Sequence, residues 1–274
     1  MTTKIGLALS GGGARGLTHI GVIKVLEENE IPIDIITGTS AGALFGGVYA
    51  SGTSIEKIEK VSVSSGYRKI LSLIFDPTRN TGGLVKGDKV AKFISKNLSK
   101  KRIENFPIKF GCVATDMISE KKIFFTKGDA SNAIRASTSF PGFFRPLKYK
   151  EMYLIDGGII DPIPIDIAKK LGADIIIAVD ATGTLKELKE KIRDGKNLSI
   201  ADSLKFSIYR MGKELMEKSF KEVDAIKIKP NVGDISVFNF GSSKVMKRAI
   251  KEGEKSAKKK IEEIKEAIKN CQKK

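Results

Sequence analysis

The stretch best suited to covalent chemistry is Gly38-Thr39-Ser40-Ala41-Gly42, a serine flanked by small residues after an apolar run. Residues 33–37 read as a strand and residues 41–50 as a helix, which puts Ser40 on a sharp turn with its hydroxyl pointing outward, the arrangement of a nucleophile elbow. An ordinary glycine-rich strand-to-helix turn has the same composition, so other residues must decide. The chain opens with an apolar strand, residues 5–9, that runs into Ser10-Gly11-Gly12-Gly13-Ala14-Arg15-Gly16 and then a helical pattern. Backbone N–H groups converging there, with a helix N-terminus behind them, suit a developing anion such as the oxyanion of acyl transfer. A third stretch, Asp156-Gly157-Gly158, follows the strand-like residues 152–155 and puts an acid where an open α/β sheet forms its crevice.

The same glycines admit a different chemistry. Gly11, Gly13 and Gly16 satisfy G-x-G-x-x-G between a strand and a helix, the dinucleotide-binding fingerprint. That reading needs an acidic residue at the end of the second strand. Asp34 stands at the start of that strand, and the serine turn occupies its end.

Taken in order and spacing, the glycine loop, the Gly38 to Gly42 elbow and Asp156-Gly157-Gly158 resemble the patatin-like phospholipase family. The resemblance extends to Arg135-Ala136-Ser137-Thr138-Ser139-Phe140-Pro141-Gly142 and to Pro162 and Pro164, and it covers residues 4–180. Asp161 departs from it, because family members commonly carry asparagine there. The resemblance implies a Ser-Asp dyad acyl hydrolase without catalytic histidine: Ser40 as nucleophile, Asp156 as base, Gly11, Gly12 and Gly13 as oxyanion donors. Arg15, Gly16, Gly38, Gly42, Gly157 and Gly158 support the motifs, and Arg15 could equally be a structural fork binding carbonyls. A shielded Asp156 close to Ser40 is expected, since burial would raise its pKa and improve it as a base. The single histidine, His19, lies in the helix after the glycine loop and reads as a packed residue. Phe140, Phe143 and Phe144 are candidates for an acyl pocket or lid, and the apolar residues 70–75 are a second candidate.

The expected fold class is α/β, a three-layer α/β/α arrangement with a mainly parallel central sheet, patatin-like. Further strands are expected at residues 109–115, 123–126, 174–179 and 225–229. Helices are expected at 15–28, 54–61, 89–98, 130–136, 165–171 and 203–220. Residues 1–182 read as the catalytic core, residues 182–197 as a charged connector, and residues 183–274 as a mostly helical, Lys-rich part that completes one compact domain.

At 274 residues and 41% hydrophobic content the chain can bury a sizeable core. No run reaches the ~18 apolar residues of a membrane span, and the opening strand is too short for a signal peptide, so a cytoplasmic location is expected. Cys112 and Cys271 are too few for a disulfide framework. No metal or other cofactor is implied, since one histidine and scattered carboxylates show no ligand spacing.

The net charge of +17 is concentrated in residues 86–109 and 244–274, which carry net charges of +6 and +7. In the second segment Met246, Ile250, Ala257, Ile261, Ile264 and Ile268 recur at helical spacing, so a basic amphipathic helix either packs on the domain or lies on an anionic membrane. Without aromatic interleaving or a nucleic-acid motif, no nucleic acid partner is expected. The expected partner is a lipid or acyl-ester substrate, with peripheral contact at the inner membrane surface. A non-catalytic lipid-binding protein on the same fold is the alternative.

Overall fold

The computed structural model describes residues 3–64, 83–237, 239 and 242–272. In chain order the elements are β1 (Ile5–Leu9), α1 (Thr18–Glu28), β2 (Ile35–Thr39), α2 (Ala41–Ala50), α3 (Ile55–Ser64), β3 (Gly83–Val85) and α4 (Asp88–Asn97). There follow β4 (Lys109–Asp116), β5 (Lys122–Phe125), α5 (Ala130–Ser137), β6 (Gly142–Phe144), β7 (Leu147–Tyr149) and β8 (Met152–Asp156). The chain continues with α6 (Ile165–Lys170), β9 (Ile175–Val179), α7 (Lys186–Arg193), α8 (Ile200–Glu222), β10 (Ile226–Ile228), α9 (Ser243–Lys258) and α10 (Ile261–Gln272).

The main sheet has the order β10-β9-β1-β2-β4-β8-β7, with β5 also paired to β4. Strands β10, β9, β1, β2 and β4 run parallel, whereas β5 and β8 are antiparallel to β4 and β7 is antiparallel to β8. The parallel strands read as continuous apolar runs because helices cover both of their faces. On one face Leu7, Leu9, Ile36 and Ile177 pack with α1, α2 and α9. On the other, Ala8, Ile176 and Ala178 pack with Ile163, Ile165 and Ala168 at α6 and with Met216 of α8. The result is the expected three-layer α/β/α order, its sheet mixed at the β4 side.

The register around β4 decides what the fold can do. Residues Ile35 to Thr39 of β2 pair with Lys109 to Val113, and Leu154 to Asp156 of β8 pair with Asp116 to Ala114. Strand β5 occupies the opposite edge over Cys112 to Thr115. A strand has two edges, so β2 and β8 must share one edge of β4, end to end. Their facing ends are Thr39, opposite Val113, and Asp156, opposite Ala114. The residue after β2 and the last residue of β8 therefore meet.

The carboxyl-terminal segment is two helices, α9 and α10, interrupted at Lys259 and Lys260, rather than one. Its apolar stripe belongs to the core: Met246, Ile250, Ala257, Ile261 and Ile264 are all buried. The lysines are left on the outer face. Helix α9 lies so close to α1 that a Cβ on Gly21 would stand 2.0 Å from the Ile250 carbonyl oxygen, and one on Gly253 would stand 2.1 Å from that of Thr18. Gly253→Ala is expected to cost about 2–3 kcal/mol, because backbone must separate from backbone, and a urea unfolding midpoint reads it directly.

Residues 182–197, expected as a connector, contain α7, whose Leu188 is buried. The expected helix at 203–220 extends at both ends, to Ile200 behind a Ser199–Asp202 capping box and to Glu222. Strand β10 joins the carboxyl-terminal part to the sheet through β9. Among the described residues no helix is long and apolar enough to cross a membrane.

Candidate active site

Ser40 has φ 54° and ψ −116°, a backbone conformation that costs a non-glycine residue about 1–3 kcal/mol. The strand preceding it ends at Thr39 rather than residue 37, so the turn is Ser40 itself. Close approach dictates the small neighbours: a Cβ on Gly42 would lie 2.2 Å from the Leu9 carbonyl oxygen, and one on Gly38 would lie 2.5 Å from the Ala43 nitrogen. Two bonds hold the turn. The Ser40 N–H donates to Ser137 Oγ at 2.9 Å, and the Ser40 carbonyl accepts the Leu44 N–H at 3.0 Å.

Asp156 is buried at the end of β8, and the fold brings it and Ser40 together. Its N–H donates to the Ser139 carbonyl at 3.0 Å, and its Oδ1 accepts the Gly158 N–H at 2.8 Å. Oδ2 is buried without a hydrogen bond of ordinary geometry. Burial dominates the carboxyl and pushes its pKa up to about 6, against the Ser40 side chain and the Gly158 N–H, which both favour the charged form.

The glycine loop faces this pair, but its three expected donors are not equivalent. The Gly11 N–H is taken by the Pro162 carbonyl at 3.0 Å, which corrects its assignment as an oxyanion donor. Gly11 instead keeps the space beside the nucleophile clear, since a Cβ there would lie 3.4 Å from Ser40 Cβ. The N–H groups of Gly12 and Gly13 have no partner among the described residues. Gly13 has φ 56°, and a Cβ on it would stand 2.3 Å from the Val237 carbonyl oxygen. Gly16 admits Ala41, whose Cβ would be 2.4 Å from a Cβ at that position.

Arg15 is buried and acts as a structural fork. Its guanidinium donates to the carbonyls of Ile235, Thr182, Thr184 and Gly233, tying the loop to the segments after β9 and β10. His19 is buried behind the loop and donates from Nε2 to the Ser10 carbonyl at 2.9 Å. Burial lowers its pKa to about 4, so it is neutral at neutral pH. That value lies below the ordinary 6.5, so its contribution to stability is complete above about pH 6.5 and is lost as the pH falls towards 4. The thermal midpoint should fall over that window, and His19→Gln should flatten the fall. Asp34 accepts the Ile5 N–H at 2.7 Å, at the opposite end of β1 from the glycine loop, where it cannot hold a ribose of a dinucleotide seated on that loop.

Several residues outside the expected site shape it. A strap from Asp161 to Pro164 offers its carbonyls to Thr39 Oγ1 (2.8 Å), to the Gly11 N–H and to Thr37 Oγ1 (2.9 Å). The Asp161 carboxylate is buried against Lys122 Nζ at 2.9 Å, which accounts for an acid where family members commonly carry asparagine. Arg135 is buried on α5 and donates to Ser139 Oγ and to the carbonyls of Lys86, Gly87 and Arg145. It fastens the loop of Phe140, Phe143 and Phe144, lying 4.9 Å from the centroid of the Phe144 ring. These three phenylalanines are half-buried, and the rings of Phe143 and Phe144 meet edge to face at 4.8 Å. The second lid candidate, residues 70–75, lies outside the described residues.

A strained serine after β2, a buried acid at the end of β8 and a glycine loop after β1 come together on a three-layer α/β fold. The family model of the patatin-like phospholipases matches residues 7–169, and the chain belongs to that family. An uncharacterised NTE family protein of Mycobacterium bovis is 38% identical over 181 residues, 66% of this chain and 50% of that protein. A protein named lysophospholipase nte1 from Neurospora crassa is 38% identical over 178 residues, 64% of this chain and 12% of its own length. The chain thus spans half or less of these relatives. The crystal structure of VipD from Legionella pneumophila shares the fold, with a TM-score of 0.54 at 15% identity, covering 94% of this chain and 66% of that one.

Proposed function

We propose that the protein is a serine acyl hydrolase that cleaves the ester bond of a lysophospholipid or phospholipid through a Ser40–Asp156 dyad. The observation that carries this reading is the end-to-end meeting of β2 and β8, which sets a strained serine beside a buried carboxyl of raised pKa. The Asp156 carboxylate takes the Ser40 proton as Oγ attacks the acyl carbonyl, and the Gly12 and Gly13 N–H groups receive the oxyanion. Collapse of the tetrahedral intermediate passes the proton from Asp156 to the departing alcohol and leaves an acyl-Ser40 ester. Water, deprotonated by the same carboxylate, then releases the fatty acid and restores the serine.

A base with a pKa of about 6 is mostly ionised at neutral pH yet stronger than an ordinary aspartate. The phenylalanine cluster at Phe140, Phe143 and Phe144 supports an acyl chain as the apolar part of the substrate. The name of the fungal relative supports a lysophospholipid as the first substrate to try. Incubation with lysophosphatidylcholine and with phosphatidylcholine, with free fatty acid read by mass spectrometry, should show release that disappears in Ser40→Ala. Release that persists in the variant would overturn the assignment.

A further inference from the structure

Among the described residues, eleven large apolar side chains are exposed, and all lie on segments at the carboxyl end of the parallel strands, the end that carries Ser40. Met117 and Ile118 directly follow the carboxyl end of β4, and Tyr153 stands beside them, its carbonyl accepting the Met117 N–H at 2.9 Å. Leu84, 70% exposed, sits on β3, which pairs with β6 in the phenylalanine loop. The remainder fall between residues 192 and 211, in the chain that leaves the carboxyl end of β9.

Helix α8 shows the pattern most clearly. It must return to the amino end of the sheet to feed β10, which runs parallel to β9, so its first half lies on the Ser40 side. Among the described residues, the side chain it buries in the core is Met216, in its second half. In the first half Ile200, Leu204, Ile208 and Met211 recur at spacings of four, four and three residues and form one stripe, with Ile200 83% and Leu204 59% exposed. Such a stripe is ordinarily buried in the protein.

Charge identifies the occupant. Lys86, Lys148, Lys150, Lys189 and Arg193 are exposed among these apolar segments and make no ion pair among the described residues. Farther along α8 three basic side chains are paired within the helix, Arg210 with Glu214, Lys213 with Glu217 and Lys218 with Glu222. Apolar tips on three separate segments, interspersed with cations that have no carboxylate partner among the described residues, two of them (Lys148 and Lys150) lying over tyrosine rings, match a surface with acyl chains beneath anionic headgroups.

We infer that the face formed by Leu84, the Met117–Ile118 tip with Tyr153 and the first half of α8 docks on an anionic lipid bilayer, presenting the Ser40 site to lipid in the membrane. This rests on the lipid-hydrolase reading for its purpose, but binding is measurable without turnover. It assigns the contact to the site end of the sheet and not to the basic carboxyl-terminal segment, whose apolar stripe is buried.

The test is co-sedimentation with phosphatidylcholine vesicles, with and without about 30% phosphatidylglycerol, of the wild-type chain and two double variants. Ile118→Glu/Leu204→Glu and Lys148→Glu/Lys150→Glu are each expected to weaken binding to the anionic vesicles about tenfold or more, with thermal midpoints unchanged because the side chains are exposed. Ser40→Ala should bind as wild type, so loss of hydrolysis with binding intact would remove the hydrolase reading alone. The docking proposal falls if the wild type ignores anionic lipid, or if the Ile118/Leu204 variant binds as well as wild type. It also falls if light scattering shows a dimer that this variant dissociates, since the face would then join two copies of the chain.

Discussion

Ser40→Ala is expected to lower kcat for acyl-ester hydrolysis by about 10⁴- to 10⁶-fold, the scale seen when the nucleophile of a serine hydrolase is removed. The substitution leaves the surroundings in place, because the Ser40 N–H bond to Ser137 Oγ and the carbonyl bond to Leu44 are main-chain interactions of residue 40. Alanine also inherits the unfavourable φ of 54°, so stability should change little. Ser40→Gly provides the contrast. It should be equally inactive but more stable by about 1 kcal/mol, because glycine accepts that backbone conformation. Urea unfolding of the three proteins separates strain from chemistry.

The second large effect is expected at Asp156. With His19 buried and bound to Ser10, Asp156→Asn leaves the nucleophile without a base, and kcat should fall by about 10³- to 10⁴-fold. In the wild-type protein kcat/KM should rise through about pH 6 to a plateau, since the carboxylate form is the active one and burial holds its pKa there. Stability runs the other way. The folded-state pKa is above the ordinary 3.8, so the native state holds this proton more tightly than the unfolded chain. The fold is strongest with respect to this group below pH 4 and weakens as the pH rises through about 6. Asparagine cannot ionise and should retain the Gly158 N–H bond, so the variant should be more stable at pH 8 by on the order of 3 kcal/mol and show no gain near pH 4. Lost activity with gained stability marks a buried acid kept for function.

Much of this site was legible in the sequence because its demands are local. A serine at positive φ with helix and strand backbone pressed against it requires glycines at 38 and 42, and their spacing survives in any sequence that builds the turn. The parallel strands were legible for a similar reason, since burial on both faces writes them as unbroken apolar runs. The proximity of Ser40 and Asp156 came only through the family resemblance. Its physical cause, two strands sharing one edge of β4, is a long-range register that no local pattern encodes.

The use of the Gly11 N–H by Pro162 is likewise a contact between distant segments, and composition cannot distinguish it from the unpartnered groups of Gly12 and Gly13. Ser137 and Arg135 lay inside a recognised segment, but only the fold shows one holding the Ser40 N–H and the other clamping the phenylalanine loop. Helix α7 was hidden by its charge: in Lys186–Arg193 only Leu188 and Ile192 are apolar, too few to show a period. The interruption at Lys259 and Lys260 had no breaker residue to announce it.

The most direct measurement is the intact mass of the protein after treatment with a fluorophosphonate, which tests an activated serine without assuming a substrate. A single adduct that maps to Ser40, is absent from Ser40→Ala and forms much more slowly in Asp156→Asn is the predicted result. Labelling that persists in Ser40→Ala, or proceeds at the wild-type rate in Asp156→Asn, would contradict the dyad.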